Sequence, residues 1–185
     1  SHVHGDHFSP EPTLGYLRQH PSVHLLASGQ VVDALLQNGG GDIKAQLRRV
    51  DLSPGDSPIN IEVEGFSVGV VAVPHSGGSR NKDIENLVFK VAIGNSATIA
   101  HFGDAVAENR WFKPLKEFFK PVDVALVPFW FYSGPAAREI LSDLVSANHT
   151  IGIHVPAKWN GAGPEYRKRL QGDLFTDLGE LRIFK

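Results

Sequence analysis

The chain has 185 residues, 42% of them hydrophobic and 21% charged, and a formal net charge of −2. These values suit one globular domain with a real core and exclude any general electrostatic pull toward nucleic acid or anionic lipid. There is no cysteine, which excludes disulfides, thiolate metal sites and a cysteine nucleophile, and leaves the cytosol and the periplasm equally open.

The predicted elements run as follows. The chain opens on SHVHGDHF, Ser1 to Phe8, with no initiator methionine before it. Pro10 to His20 reads as a short helix, with Ser9 as N-cap and proline in its first turn. His24 to Ala27 is a short apolar strand. Ser28 to Gln37 has helical spacing at Val31, Val32, Leu35 and Leu36 and stops at Asn38 and three glycines. Leu47 to Leu52 is extended. Ile59 to Glu64 alternates as a strand, and Phe66 to Val73 is a second, more apolar strand after a turn at Gly65. A loop, PHSGGSRNKD, covers Pro74 to Asp83. Strands Leu87 to Ile93 and Ala97 to His101 are joined by Gly94–Asn95, a hairpin signal. Val106 to Phe119 is predicted as a helix, Val122 to Val127 as a buried strand, Pro135 to Ala147 as an amphipathic helix and Thr150 to His154 as a strand. A helix over Glu165 to Leu170 and a last strand over Leu181 to Phe184 complete the reading. No apolar run approaches a membrane span, no signal peptide is visible, and the basic runs Arg48–Arg49 and Arg167 to Arg169 read as solvated faces. A mixed first half and a second half that alternates strand and helix point to an α/β fold with sheets inside and helices outside.

The opening motif is the densest chemistry in the chain. By itself it suits either a metal site or surface residues behind a short tag remnant. His2 and His4 are two apart, so an extended backbone sends both to one side, where imidazole nitrogens can reach one ion at roughly 2.0–2.1 Å. Asp6 and His7 are adjacent, and a turn at Gly5 or the start of the following helix would bring both to a second ion. Three further candidates stand at the C-terminal ends of predicted strands, where layered α/β folds assemble their sites: His75 in VPHSGG, Asp104 in HFGDA and His154 in GIHVP.

H-x-H-x-D-H at His2 to His7, then His75, the pair Gly103–Asp104 and the late His154, resembles the signature of the metallo-β-lactamase superfamily. The resemblance covers essentially the whole chain and implies a single domain over 1–185 with the four-layer αββα sandwich of that family. It implies a binuclear site with two ions per chain, usually zinc, for which Mn²⁺ or Fe²⁺ would also suit the ligands. By the same resemblance His2, His4 and His75 bind the first ion, Asp6, His7 and His154 bind the second, and Asp104 bridges the two. A hydroxide held between the ions would attack, one ion would polarise the substrate oxygen, and Asp6 would orient the nucleophile or pass a proton, which makes Asp6 and Asp104 the catalytic carboxylates. Some branches of the family replace the second histidine by glutamate and bind iron for redox work; His4 favours hydrolysis.

SHVHGDHFSPE, IENLVFKVAIGNSATIAHFGDA and VDVALVPFW are similar to the branch that includes the ascorbate-phosphate lactonases, although the family's Gly-Asp-Thr reads Gly103-Asp104-Ala105 here. The expected activity is hydrolysis of a small ester, lactone or amide. The other readings are a metal-dependent phosphodiesterase or nuclease and a catalytically inactive binding module; the net charge counts against a nucleic-acid substrate. Trp130 and Tyr132 in FWFYSG, and Lys158 and Trp159 after His154, are candidates to contact a small-molecule substrate. The family places strands before the opening motif and none precede it here. The N-terminal strands are therefore expected to be missing from this chain, with His2 frayed and with the apolar faces of Ile59–Glu64 and Phe66–Val73 open to a second copy or to the missing segment.

Overall fold

Ser9, extended at φ −135°, leads into α1 (Pro10–Gln19), with proline in its first turn, Glu11 near its N-terminus and Arg18 in its last turn. Those charges complement the helix dipole. The computed structural model describes residues 1–63, 65–156, 168, 170, 172–177 and 179–184. After α1 come β1 (Leu25–Ser28) and α2 (Gly29–Gln37), which ends at Asn38, where the side-chain amide donates to the carbonyl of Ala34 at 2.8 Å. A 3₁₀ turn over Gly40–Gln46, not foreseen in the sequence, leads into β2 (Leu47–Val50), which pairs with β1 in parallel.

The chain divides into two compact units. The first comprises Ser1–Ile59, Val70–Phe89 and Gly103–Val106; the second comprises Asn60–Gly69, Lys90–Phe102 and Ala107–Lys185. The core of the first unit gathers Leu14 and Leu17 of α1, Val31, Val32 and Leu35 of α2, and Ala27 and Ile43. Gln46 is buried beside it and stitches the end of α1 to the next segment, its amide donating to the carbonyls of Leu17, His20 and Val23 at 3.1, 3.0 and 2.8 Å.

A seven-stranded sheet has the order β3 (Ile59–Val63), β4 (Phe66–Ala72), β5 (Leu87–Ile93), β6 (Ala97–His101), β7 (Val124–Pro128), β8 (His149–Ile153) and β9 (Asp173–Leu174). The β6–β7, β7–β8 and β8–β9 pairs are parallel, so each connection between them must cross over. On β4 the inner residues Val70 and Val71 are buried, whereas Phe66 and Val63 near the Gly65 turn are exposed.

Three predicted elements differ from the structure. Val106 to Phe119 is not one helix: α3 spans only Asn109–Phe112 and continues as a 3₁₀ turn over Lys113–Leu115, because Pro114 has no N–H to give a longer α-helix. The amphipathic helix begins as α4 (Pro135–Glu139) and widens into a π-helix over Ile140–Val145. Leu181 to Phe184 is not a strand; the edge strand is β9, and Arg182 ties the later segment to Asp173 and Glu180 by ion pairs of 2.8 and 2.9 Å. The helix predicted over Glu165 to Leu170 falls mostly outside the described residues. Among the described residues no helix is long and apolar enough to cross a membrane.

The second unit is centred on phenylalanines. Phe102, Phe112, Phe119 and Phe131 are all fully buried. Phe102 stacks on Phe119 at 5.2 Å between centroids and meets Phe131 edge-on at 5.7 Å. Phe119→Ala would leave a cavity against the rings of Phe102, Phe112 and Phe118 and should cost about 3–5 kcal/mol, measured as a lowered midpoint of urea unfolding.

Candidate metal centre

The opening segment is held by its apolar residues. Val3 and Phe8 pack against the core of the first unit, which turns His2 and His4 the other way. The backbone then reverses: the N–H groups of His7 and Phe8 both donate to the carbonyl of His4, at 3.0 and 2.9 Å. This is the turn expected around Gly5, and it returns His7 to the side of His2, with ring centroids 4.1 Å apart. The expected fraying is absent. His2 is 1% exposed, and the Ser1 carbonyl accepts from the N–H of Leu87 at 3.0 Å.

His75 and Asp104 arrive on loops after β4 and β6, and these loops are paired. His75 and Ala105 form an antiparallel bridge; the Ser76 N–H donates to the Asp104 carbonyl and the Val106 N–H to the Pro74 carbonyl, both at 2.8 Å. Gly103 has φ +54°, and a Cβ there would collide with Asn86 Oδ1 and the Ser1 Cβ. Both features demand glycine immediately before Asp104.

Within the first unit the ligand-type atoms of His2, His4 and His75 lie within 4.8 Å of one another, as do those of His2, His7 and Asp104. His2 Nε2 is 3.2 Å from His75 Nε2. Asp104 presents Oδ1 at 3.1 Å from His7 Nε2 and Oδ2 at 3.5 Å from His75 Nε2. Asp6, on the exposed side, has Oδ2 3.8 Å from His7 Nε2. His154 belongs to the second unit, directly after β8, in a left-handed conformation (φ 60°) and with its ring edge-on to Trp130 at 5.4 Å.

The donor set fits a divalent cation. His75 Nδ1 is 2.6 Å from the Ser76 carbonyl; a carbonyl only accepts, so Nδ1 carries the hydrogen and Nε2 presents its lone pair. Burial, reinforced by the neighbouring His7, His75 and His4 rings, pushes the His2 imidazole down to about 3. His2 is therefore neutral at pH 7, the form that binds metal. A tetrahedral zinc site with bonds of about 2.0–2.1 Å separates its nitrogens by roughly 3.3 Å, close to the observed His2–His75 spacing.

Of the other predicted contacts, Trp130 is half-buried in the 3₁₀ turn after β7. Tyr132 is buried in the second unit, its ring filling the space beside Gly152 and Gly172, because glycine at those positions leaves room for it. Lys158 and Trp159 lie outside the described residues. Three groups without a place in the sequence pattern touch the candidate ligands or their loops. Ser1 Oγ lies 3.2 and 3.0 Å from Nδ1 of His2 and His7. Asn81 donates to the Ser76 carbonyl at 2.8 Å and reaches within 3.2 Å of His75 Nδ1. Asn86 bonds to the backbone of Val73 and Asp104. The available signal for Asn86 was a lone uncharged polar residue at the head of an apolar strand.

A family model described as the Beta-lactamase superfamily domain matches residues 1–152. No curated protein matches the chain. Among solved structures, a metallo hydrolase from the hyperthermophilic archaeon Ignicoccus hospitalis KIN4/I is similar with a TM-score of 0.52 at 15% identity, over 95% of this chain and 73% of that one. The isothiocyanate hydrolase from Delia radicum gut bacteria is similar with a TM-score of 0.54 at 16% identity, over 91% of this chain and 66% of that one. At such identities the likeness is one of fold. The family match is of another kind: it spans the opening motif, His75 and Asp104 together, and on it the chain belongs to the metallo-β-lactamase superfamily.

Proposed function

We propose that the chain is a metal-dependent hydrolase with a two-ion centre, that zinc is the metal its ligands suit best, and that its substrate is a small ester, lactone or amide. The observation that supports this most strongly is the pair of ligand trios sharing His2, one completed by His4 and His75, the other by His7 and Asp104. In this reading His2, His4 and His75 hold the first ion, Asp6, His7 and His154 the second, and Asp104 serves both. Bound zinc would supply water with a pKa of about 7 and a Lewis acid for the substrate oxygen.

The chain's own groups set up the rest. His75 donates through Nδ1 to the Ser76 carbonyl, and Ser1 Oγ sits between Nδ1 of His2 and of His7, so the Nε2 atoms are aimed by partners behind them. The inner side of the centre is closed to bulk solvent, since His2, His75 and Asp104 are all buried. Asp6, with 60% of its side chain exposed, is assigned to orient the incoming water and to accept its proton on a carboxylate oxygen. Trp130, edge-on to His154, is assigned as a flat wall for the substrate, with Lys158 and Trp159 as further contacts. The stretches IENLVFKVAIGNSATIAHFGDA and VDVALVPFW, similar to the lactonase branch, make a lactone the first substrate to try.

Elemental analysis of protein purified without chelator should find zinc, manganese or iron, up to two ions per chain. Chelation should abolish hydrolysis of a panel of lactones, esters and amides, and added zinc should restore it; undiminished turnover in metal-free protein would contradict the reading. Asp6→Asn should lower turnover about 10–100-fold with little change in melting temperature, because the carboxylate it replaces is exposed. Equal turnover in a metal-loaded Asp6→Asn protein would remove Asp6 from the mechanism.

A further inference from the structure

Asn86 has no place in the ligand pattern, yet it is 2% exposed and stands at the head of β5 beside the metal centre. Its side chain joins two loops. Oδ1 accepts from the Asp104 N–H at 2.9 Å, and Nδ2 donates to the Val73 carbonyl at 3.3 Å, both in buried surroundings. Its own backbone carbonyl accepts from the Val73 N–H at 3.2 Å. We propose that Asn86 is a positioning residue for the metal centre: it sets the Asp104 peptide, and with it the bridging carboxylate, against the loop that carries His75. The inference rests on the metal-binding reading above.

Three observations converge on it. First, the Asp104 backbone is held on both sides of its Cα, its N–H by Asn86 and its carbonyl by the Ser76 N–H at 2.8 Å. With the peptide groups on either side of the Asp104 Cα held, the carboxylate is confined near His7 and His75. Second, the chemistry calls for a primary amide. One end must accept from an N–H and the other must donate to a carbonyl; a carboxylate turns the donor into an acceptor facing Val73. Leaving either backbone group unmatched in a buried place is costly. Third, the approach is close enough to dictate its neighbour, since a Cβ at Gly103 would collide with Asn86 Oδ1. Glycine is demanded there partly by Asn86.

The test compares wild type, Asn86→Ala and Asn86→Asp as full chains stripped of metal. Circular dichroism and thermal melting report the fold. Zinc competition titrations report affinity, and the visible absorption of the cobalt(II)-loaded proteins reports ligand geometry. The alanine variant loses the side-chain bonds to Val73 and Asp104; the aspartate variant keeps the shape and the acceptor for Asp104 but loses the donor to Val73. Each variant that folds should bind the more weakly held ion about 10–100-fold less tightly than wild type and show an altered cobalt band. A folded variant with wild-type affinity and an unchanged band would overturn the proposal, and so would failure of both variants to fold, which would make Asn86 a folding residue. Wild-type protein that takes up neither zinc nor cobalt would overturn the metal reading itself, a result separate from any effect of the variants.

Discussion

Two backbone hydrogen bonds carry much of the site's geometry. Ser76 donates to the Asp104 carbonyl and Val106 to the Pro74 carbonyl, which clamps the loop after β4 to the loop after β6. His75 and Asp104 ride on that clamp. Loops ordinarily lie open to water and move, but here they are paired like short strands and largely buried, so their side chains inherit the order of a sheet. A ligand cluster needs that order, because the entropy of holding each side chain in place is then met by folding rather than by the ion.

The opening motif reaches the same end by another route. It has neither a strand ladder nor a helix, and its order comes from packing. Val3 and Phe8 sit on the apolar core of α1, α2 and Ile43, and the turn closed by the His4 carbonyl brings His7 round to His2. The polar residues are oriented by the apolar ones that alternate with them. Burial then acts on the chemistry: a His2 imidazole with its pKa pushed well down by burial and by its neighbours cannot hold a proton at pH 7, and an unprotonated nitrogen is what a divalent cation requires. The packing that shapes the site also sets the protonation state of His2.

Much of this was legible beforehand where the pattern was local. Strands β5 and β6 fall at the residues expected on either side of the Gly94–Asn95 turn, and α1 and α2 lie where Pro10 and the spacing of Val31, Val32, Leu35 and Leu36 placed them, with Ser9 extended before α1 but making no side-chain capping bond. Reading failed where a single residue overrode periodicity, as Pro114 did in the segment after Val106, and where side-chain ties replaced a strand, as Arg182 did near the end of the chain. Asn86 was missed for a further reason: its partners are a carbonyl 13 residues away and an N–H 18 residues away, and no local pattern encodes a bond of that kind.

The kinds of side chain at the candidate metal centre could be read directly from the sequence. The residue types of His2, His4, Asp6, His7, His75, Asp104 and His154, their order, and the places of His75, Asp104 and His154 after strands are all written along the chain, because histidine and carboxylate have few reasons to recur at such spacings. The tertiary structure alone decided which nitrogen of His75 faces inward, that His2 is buried rather than frayed, that Tyr132 belongs to the core, and that an amide at Asn86 holds the Asp104 peptide. Those outcomes depend on the distance between groups far apart in the chain, and distance of that kind exists only once the chain has folded.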